Sequence, residues 1–138
     1  MFSVFIPGDP APQGSKRHVG GGVLVESSKK LAPWRSDVRS ACLDETGKPK
    51  AVFDGPVVAQ LDFVMKRPAS TPKSRTPPAV KLPDIDKLSR AILDAVGSAG
   101  IWRDDSQVVM LTAAKRLARL DETPGCRIVI DEYQEHGA

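Results

Sequence analysis

Two amphipathic helical patterns, one long alternating strand, and the order strands, helix, strand, helix, two strands predict an α+β fold. In it, two main helices pack on a mixed or antiparallel sheet. The 138 residues, 41% of them hydrophobic and 27% charged, suit a single domain over 1–138 with a core of its own. No apolar run approaches the roughly eighteen residues that a transmembrane helix needs, so no membrane partner is expected.

Each element has its own reason. "FSVFIPG" is apolar enough to start a sheet, and Pro7-Gly8 punctuates it. "DPAPQGSKRHVGGG" is rich in Pro and Gly, and is expected to be flexible and to hold little core. "GVLVES" reads as a short strand. Residues 28–45 suit a helix, because Trp34, Val38 and Ala41/Cys42 recur at three-to-four spacing, and Gly47 and Pro49 end it. "GPVVAQLDFVMKRP" is the clearest strand, with Val57, Ala59, Leu61, Phe63 and Met65 on one face and Val58, Gln60, Asp62, Val64 and Lys66 on the other. "RPASTPKSRTPPAVKLP" disfavours both helix and strand, and loops of this length are usually functional or mobile. After it, Ile85, Leu88, Ile92 and Val96 form a helical stripe with Gly97 as its stop. "SQVVMLTAAKRLA" and "CRIVIDEY" read as two closing strands, antiparallel if Thr123-Pro124-Gly125 turns the chain.

Charge is unevenly placed. The net charge is only +3, yet residues 66–90 carry seven Lys or Arg against Asp84 and Asp86, and residues 121–138 carry five acids against Arg127. A basic stretch around a small acidic cluster suits a polyanion-binding site with a metal, and equally a solvated loop. Cys42 and Cys126 have no Cys or His neighbours for a metal knuckle and read as reduced core thiols. The N-terminus lacks the pattern of a signal peptide, and an intracellular protein is expected. His18 and His136 are isolated, and neither a Ser-His-Asp set nor a P-loop is legible.

"PDID" carries the chemical argument. Mid-helix, Asp84 and Asp86 would diverge by roughly 200°. Pro83 disfavours a helix before it, so Asp84 can occupy the extended approach and Asp86 the first turn, where their carboxylates can converge. A cap alone explains one aspartate there, not two. Asp94, near the far end of the helix, is a weaker candidate because it opposes the dipole. Of Asp104 and Asp105, only one can face a shared site, and Asp104 reads as a turn residue. Carboxylates gathered beside Lys and Arg fit Mg²⁺, which takes hard oxygen ligands and phosphate oxygens. Arg90, at i+4 from Asp86, would stabilise charge developing on phosphorus.

Over "PDIDKLSRAILDAVGSAGIWRDDSQV" the chain resembles the RusA family of Holliday junction endonucleases, which are homodimers of bacteria and their phages. The Pro-Asp-x-Asp start, the Leu-Asp-Ala helix end, the Gly-containing turn and the Asp-Asp-x-Gln that follows all match. "PGDPAPQGSKR" and "PGCRIVI" agree more loosely. The resemblance implies metal ligation by Asp84, Asp86 and Asp105, a basic helper at Arg90 where the family usually has Lys, and Mg²⁺-dependent paired nicking of four-way DNA junctions. It implies no organic cofactor, and a place in the bacterial cytoplasm, with the chain encoded by host or phage. Lys16, Arg17, Lys66, Arg67, Lys73, Arg75 and Lys81 would contact phosphates without reading sequence. Trp34 and Trp102 read first as packing residues and second as platforms for unstacked bases. The alternatives are a nuclease for flaps or other branches, and a non-catalytic domain that binds structured nucleic acid.

Overall fold

The strand expected at "VVAQLDFVM" is the centre of the molecule. This computed structural model describes residues 1–14, 16–18, 24–26, 29–47 and 52–135, with the backbone alone for 16–18 and 24–26. In chain order come β1 (Phe2–Pro7), β2 (Lys16–His18), β3 (Leu24–Glu26), α1 (Leu31–Thr46), β4 (Val57–Met65), α2 (Ile85–Ser98), a 3-10 turn (Asp105–Gln107), β5 (Val108–Leu117) and β6 (Gly125–Glu132). The main sheet is mixed, in the order β1-β6-β4-β5, and β2 and β3 form a separate antiparallel pair. The described residues thus form a single α+β domain with two α-helices, as the patterning predicts.

The alternation along β4 sets the layers. Val57, Ala59, Leu61, Phe63 and Met65 are all buried, and the register aligns Ala59 with Ile130, Leu61 with Ile128 and Phe63 with Cys126 on β6. Phe2 and Ile6 of β1 extend this face. Leu31, Trp34, Val38 and Cys42 of α1, with Leu88, Ala91, Ile92, Ala95 and Val96 of α2, complete the same core. Each large aliphatic there is worth about 1.5–3 kcal/mol in burial. Trp34 and Trp102 both belong to it, which overturns their second reading as platforms for bases. Their rings are spent on packing.

Three local expectations are corrected. The closing strands β5 and β6 do run in opposite directions, but β4 lies between them. β5 returns parallel to β4 across the connection that holds α2, so residues 118–124 carry the chain past β4 rather than closing a hairpin. Nor does α2 stop at Gly97. It ends through Ala99, with Gly100 at φ 79°; the Gly100 N–H donates to the Gly97 carbonyl at 3.0 Å and the Ile101 N–H to that of Val96 at 3.4 Å. This pair of closing bonds needs a left-handed residue one position past the cap, and Gly100 is that residue. Finally, backbone pairing at β2 falls inside the segment expected to be flexible. Pro49 and His136 lie outside the described residues, as do the side chains of Lys16, Arg17 and His18.

The proline-rich loop between β4 and α2 has no regular structure, as expected, but it is tied down. Arg67 donates to the carbonyls of Pro72 and Arg75 (2.6 Å each) and Ala118 (3.2 Å), and to Thr76 Oγ1 (2.9 Å). Lys115 Nζ, from β5, donates to the carbonyls of Lys81 and Pro83 at 2.9 Å each. Carbonyl oxygens on a strandless loop would otherwise turn to water, so these two cations hold the path of the chain into α2.

Cys42 and Cys126 are buried and unbridged, and burial pushes both thiols up to about 12. At pH 8 neither is appreciably a thiolate in the folded protein, whereas an unfolded cysteine with pKa near 8.5 is substantially so. Ellman's reagent at pH 8 is therefore expected to find almost no reactive thiol in the native chain and both after denaturation in guanidinium. Rapid native labelling of either would contradict the packing.

Candidate active site

The start of α2 has the backbone geometry that "PDID" implies. Asp84 occupies the N-cap with extended dihedrals (φ −70°, ψ 144°), and its carbonyl accepts the first helical bond from Leu88 N–H at 3.1 Å. Its side chain makes no capping bond, so the ordinary structural use of an aspartate here is not the one in force. Asp86 follows in the first turn. Both side chains are exposed, and neither has a hydrogen bond or ion pair among the described residues. The helix N-terminus favours their charge.

From Asp86, one face of α2 runs through Ser89, Arg90, Leu93 and Asp94. With Asp105, and with Leu111 and Ala113 of β5, it lines a cleft of about 550 Å³. The structure therefore brings Asp86, Arg90 and Asp105 to one cavity. Asp84 precedes Ile85, which lines the cleft, but does not line it itself. Asp94, the weaker candidate, also lines the cleft. Its position in the last turns of α2 costs it some helix-dipole energy, but Gln13 Nε2 donates to its Oδ2, and the backbone N–H of Gln13 donates to the Lys87 carbonyl at 3.0 Å. The loop after β1 thus covers the helix face here, with the Arg90 guanidinium lying against Gly14.

Asp105 is held by its own set of contacts. The indole Nε1–H of Trp102 donates to its Oδ1 at 2.8 Å, and this pair lies flat against α2 at Gly97. A Cβ added at Gly97 would stand 2.9 Å from Asp105 Oδ1 and 3.2 Å from Trp102 Nε1, so only glycine leaves that gap. Although the residue as a whole is exposed, burial of its carboxyl pushes the pKa up, the Trp102 indole pulls it down, and the neighbouring Asp94 pushes it up again. Two carboxylates that repel each other in this way fit a cation.

The Asp-Asp-x-Gln motif divides its labour. Asp104 caps the 3-10 turn, accepting from the backbone N–H of Ser106 at 3.2 Å and from its hydroxyl, which hold its carboxyl below the usual range. Gln107 Oε1 accepts from the N–H groups of Arg103 (2.7 Å) and Asp104 (3.1 Å), closing a capping box. Gln107 Nε2 then donates to the carbonyls of Phe53 (3.0 Å) and Gly55 (2.9 Å). Asp105 alone turns to the cleft. The three-residue spacing from Asp104 to Gln107 is the sequence signal for that box; Gln13, Gly97, Trp102 and Lys115 have no comparable local signal.

Among the described residues, no group of three or more carboxylate, thiol or imidazole side chains stands close enough to hold one metal ion. The expected joint ligation by Asp84, Asp86 and Asp105 is therefore not assembled in the single chain. Mg²⁺ needs only one or two protein carboxylates, keeping waters and phosphate oxygens for the rest, so the donor chemistry of the cleft fits it. Of the expected phosphate contacts, Lys66, Lys73, Arg75 and Lys81 are exposed, whereas Arg67 commits its guanidinium to the loop. A second cleft of about 500 Å³, on the uncovered sheet face, mixes Asp62 and Glu122 with Arg116 and Arg127. Arg116 and Glu122 pair there at 2.6 Å, so its charges largely cancel.

Carboxylates and an arginine in one cleft, beside an exposed cationic loop, have the chemistry of an enzyme that acts on phosphodiesters. A family model, endodeoxyribonuclease RusA, matches residues 7–131. The chain belongs to that family and is an endodeoxyribonuclease of the crossover junction type. The family is generally metal-dependent and acts on branched DNA junctions. No curated protein matches the chain.

Gly97→Ala sets two effects against each other. Helix propensity improves by up to about 1 kcal/mol, while Asp105 must move away from the new methyl group. Thermal stability is expected to stay near that of the parent while endonuclease activity falls roughly tenfold to a hundredfold. Full activity in this variant would show that the seat of Asp105 is not needed.

Proposed function

We propose that this enzyme resolves four-way DNA junctions by paired hydrolytic nicks, with Mg²⁺ held by Asp86 and Asp105 and with Asp84 and Asp94 beside them. The observation that carries the reading is the shared cleft of Asp86, Arg90, Asp94 and Asp105 in a chain of this family. Bound there, Mg²⁺ would supply an acidified water and charge neutralisation at phosphorus. The chain's own part is to place it. Trp102 and Gly97 orient Asp105, Gln13 orients Asp94, and the start of α2 aims Asp86. Arg90 directs a planar cation at the scissile phosphate, where its two-pronged geometry clamps oxygens better than it positions a water. Ile85, Leu93, Leu111 and Ala113 form an apolar wall that lowers the dielectric around these charges.

Lys66, Lys73, Arg75 and Lys81, together with Lys16 and Arg17, would hold the duplex arms by their phosphates. Arg67 acts behind them by holding the loop's shape. Two symmetric nicks call for two copies of the chain related by a two-fold axis. The edge of β5, unpaired among the described residues and with Val109, Met110 and Leu111 exposed, supports a second copy as partner. Such a substrate belongs in the bacterial cytoplasm, whether host or phage encodes the enzyme. No helix among the described residues is long and apolar enough to cross a membrane.

The test is a synthetic four-way junction with and without Mg²⁺. Asp86→Asn is expected to cut at least about a hundredfold more slowly, since even the outer-shell partners of a metal cost up to that much. Junction binding should persist or tighten as a negative charge is lost. Normal cutting by Asp86→Asn, or full cutting by the parent in EDTA, would overturn the mechanism. Equal cutting of flaps and junctions would move the substrate to branched DNA in general.

A further inference from the structure

The loop that leads into α2 exposes two large aliphatic side chains. Val80 is 85% and Leu82 83% exposed, while the helix they precede buries Leu88, Ala91, Ile92, Ala95 and Val96. Scattered exposed aliphatics are ordinary, but these two flank a lysine on a segment that is fastened in place. Lys115 binds the carbonyls on either side of Leu82, those of Lys81 and Pro83, and Arg67 gathers the upstream half of the loop. Val80 and Leu82 stand on the rim of a groove of about 440 Å³ floored by Met65, Pro68 and Leu117. Lys66 and Lys81 line it too. Leu82 lies four positions before Asp86, so their backbones are no more than about 15 Å apart.

We infer that Val80 and Leu82 form a wedge that enters the branch point of the DNA and packs on the faces of unstacked bases beside the scissile phosphate. The occupant follows from the chemistry of the surroundings. An apolar tip between cations suits a polyanion that also offers apolar faces, and bases at a branch are the ones least committed to stacking. A wholly protein partner would not call for lysines at both the rim and the tip. The wedge rests on the proposed junction substrate and adds how that substrate is told from linear duplex: phosphate contacts hold any duplex, whereas the aliphatic pair gains only where a stack is already open.

The experiment uses the full chain in EDTA, so that nothing is cut, with 2-aminopurine placed either at the crossover or well inside one arm. The parent is expected to raise fluorescence at the crossover alone. The double variant Val80→Ser/Leu82→Ser is expected to lose that rise and to bind linear duplex as the parent does. Its preference for junction over duplex should fall roughly tenfold or more, since burying one such side chain is worth at least that in an equilibrium constant. A variant that keeps both the signal and the preference overturns the wedge. So does a variant that melts several degrees lower, which would place the pair in the fold, or one that dissociates a dimeric parent, which would place it under a second copy. A parent without any junction preference would instead sink the substrate reading itself, and the parent's own binding data separate that failure from the other.

Discussion

The cleft depends on one hydrogen bond made in a space that has no side chain in it. Trp102 reaches from the core to Asp105, and the bond fits because α2 presents a bare backbone at Gly97. The indole is buried among the apolar residues and cannot swing away without opening the core. The orientation of one carboxylate is thereby underwritten by the burial of one of the two largest side chains in the fold. A buried anchor of this kind gives a catalytic group a fixed direction while its oxygen stays accessible.

The remaining features arrange themselves around that anchor. The 3-10 turn with its capping box delivers Asp105 to the right height, and Gln107 ties the turn to the chain just before β4. On the other wall, Gln13 and Gly14 press the loop after β1 onto α2, bringing a neutral amide to Asp94 and leaving Arg90 beside a glycine. Charged groups in the cleft are held by neutral partners, so their net charge remains available to a ligand. The opposite sheet face is arranged differently: there, Arg116 and Glu122 neutralise each other in a two-pronged pair.

Much of this was legible because it is local. The alternation in β4, the Leu88, Ile92 and Val96 stripe of α2 and the extended approach of Asp84 after Pro83 each need only a few consecutive residues and are found. Ile85 of the stripe is exposed, however, and Asp84 does not line the cleft that Asp86 lines. What escaped depends on residues far apart in the chain. No periodicity tells that β4 separates β5 from β6, because strand order is decided by how the α2 connection packs. Gly97 looks like a helix stop until its neighbour across the gap is known, and the true left-handed position is Gly100. Arg67 looks like any surface cation, and its four acceptors include Ala118, from beyond β5. The dipole disfavours Asp94, but the residue that compensates it, Gln13, lies 81 positions away.

Every candidate catalytic side chain, from Asp84 to Asp105, lies in the single connection between β4 and its parallel neighbour β5. Parallel pairing across so long a loop is among the later events expected in folding, since the chain must first close on itself. Until β5 docks, Leu111 and Ala113 are missing from one wall, and no cavity exists for a phosphate to enter. A nascent or half-unfolded copy therefore lacks the assembled cleft, which appears only in the finished molecule. The topology itself thus makes the cleft conditional on completed folding.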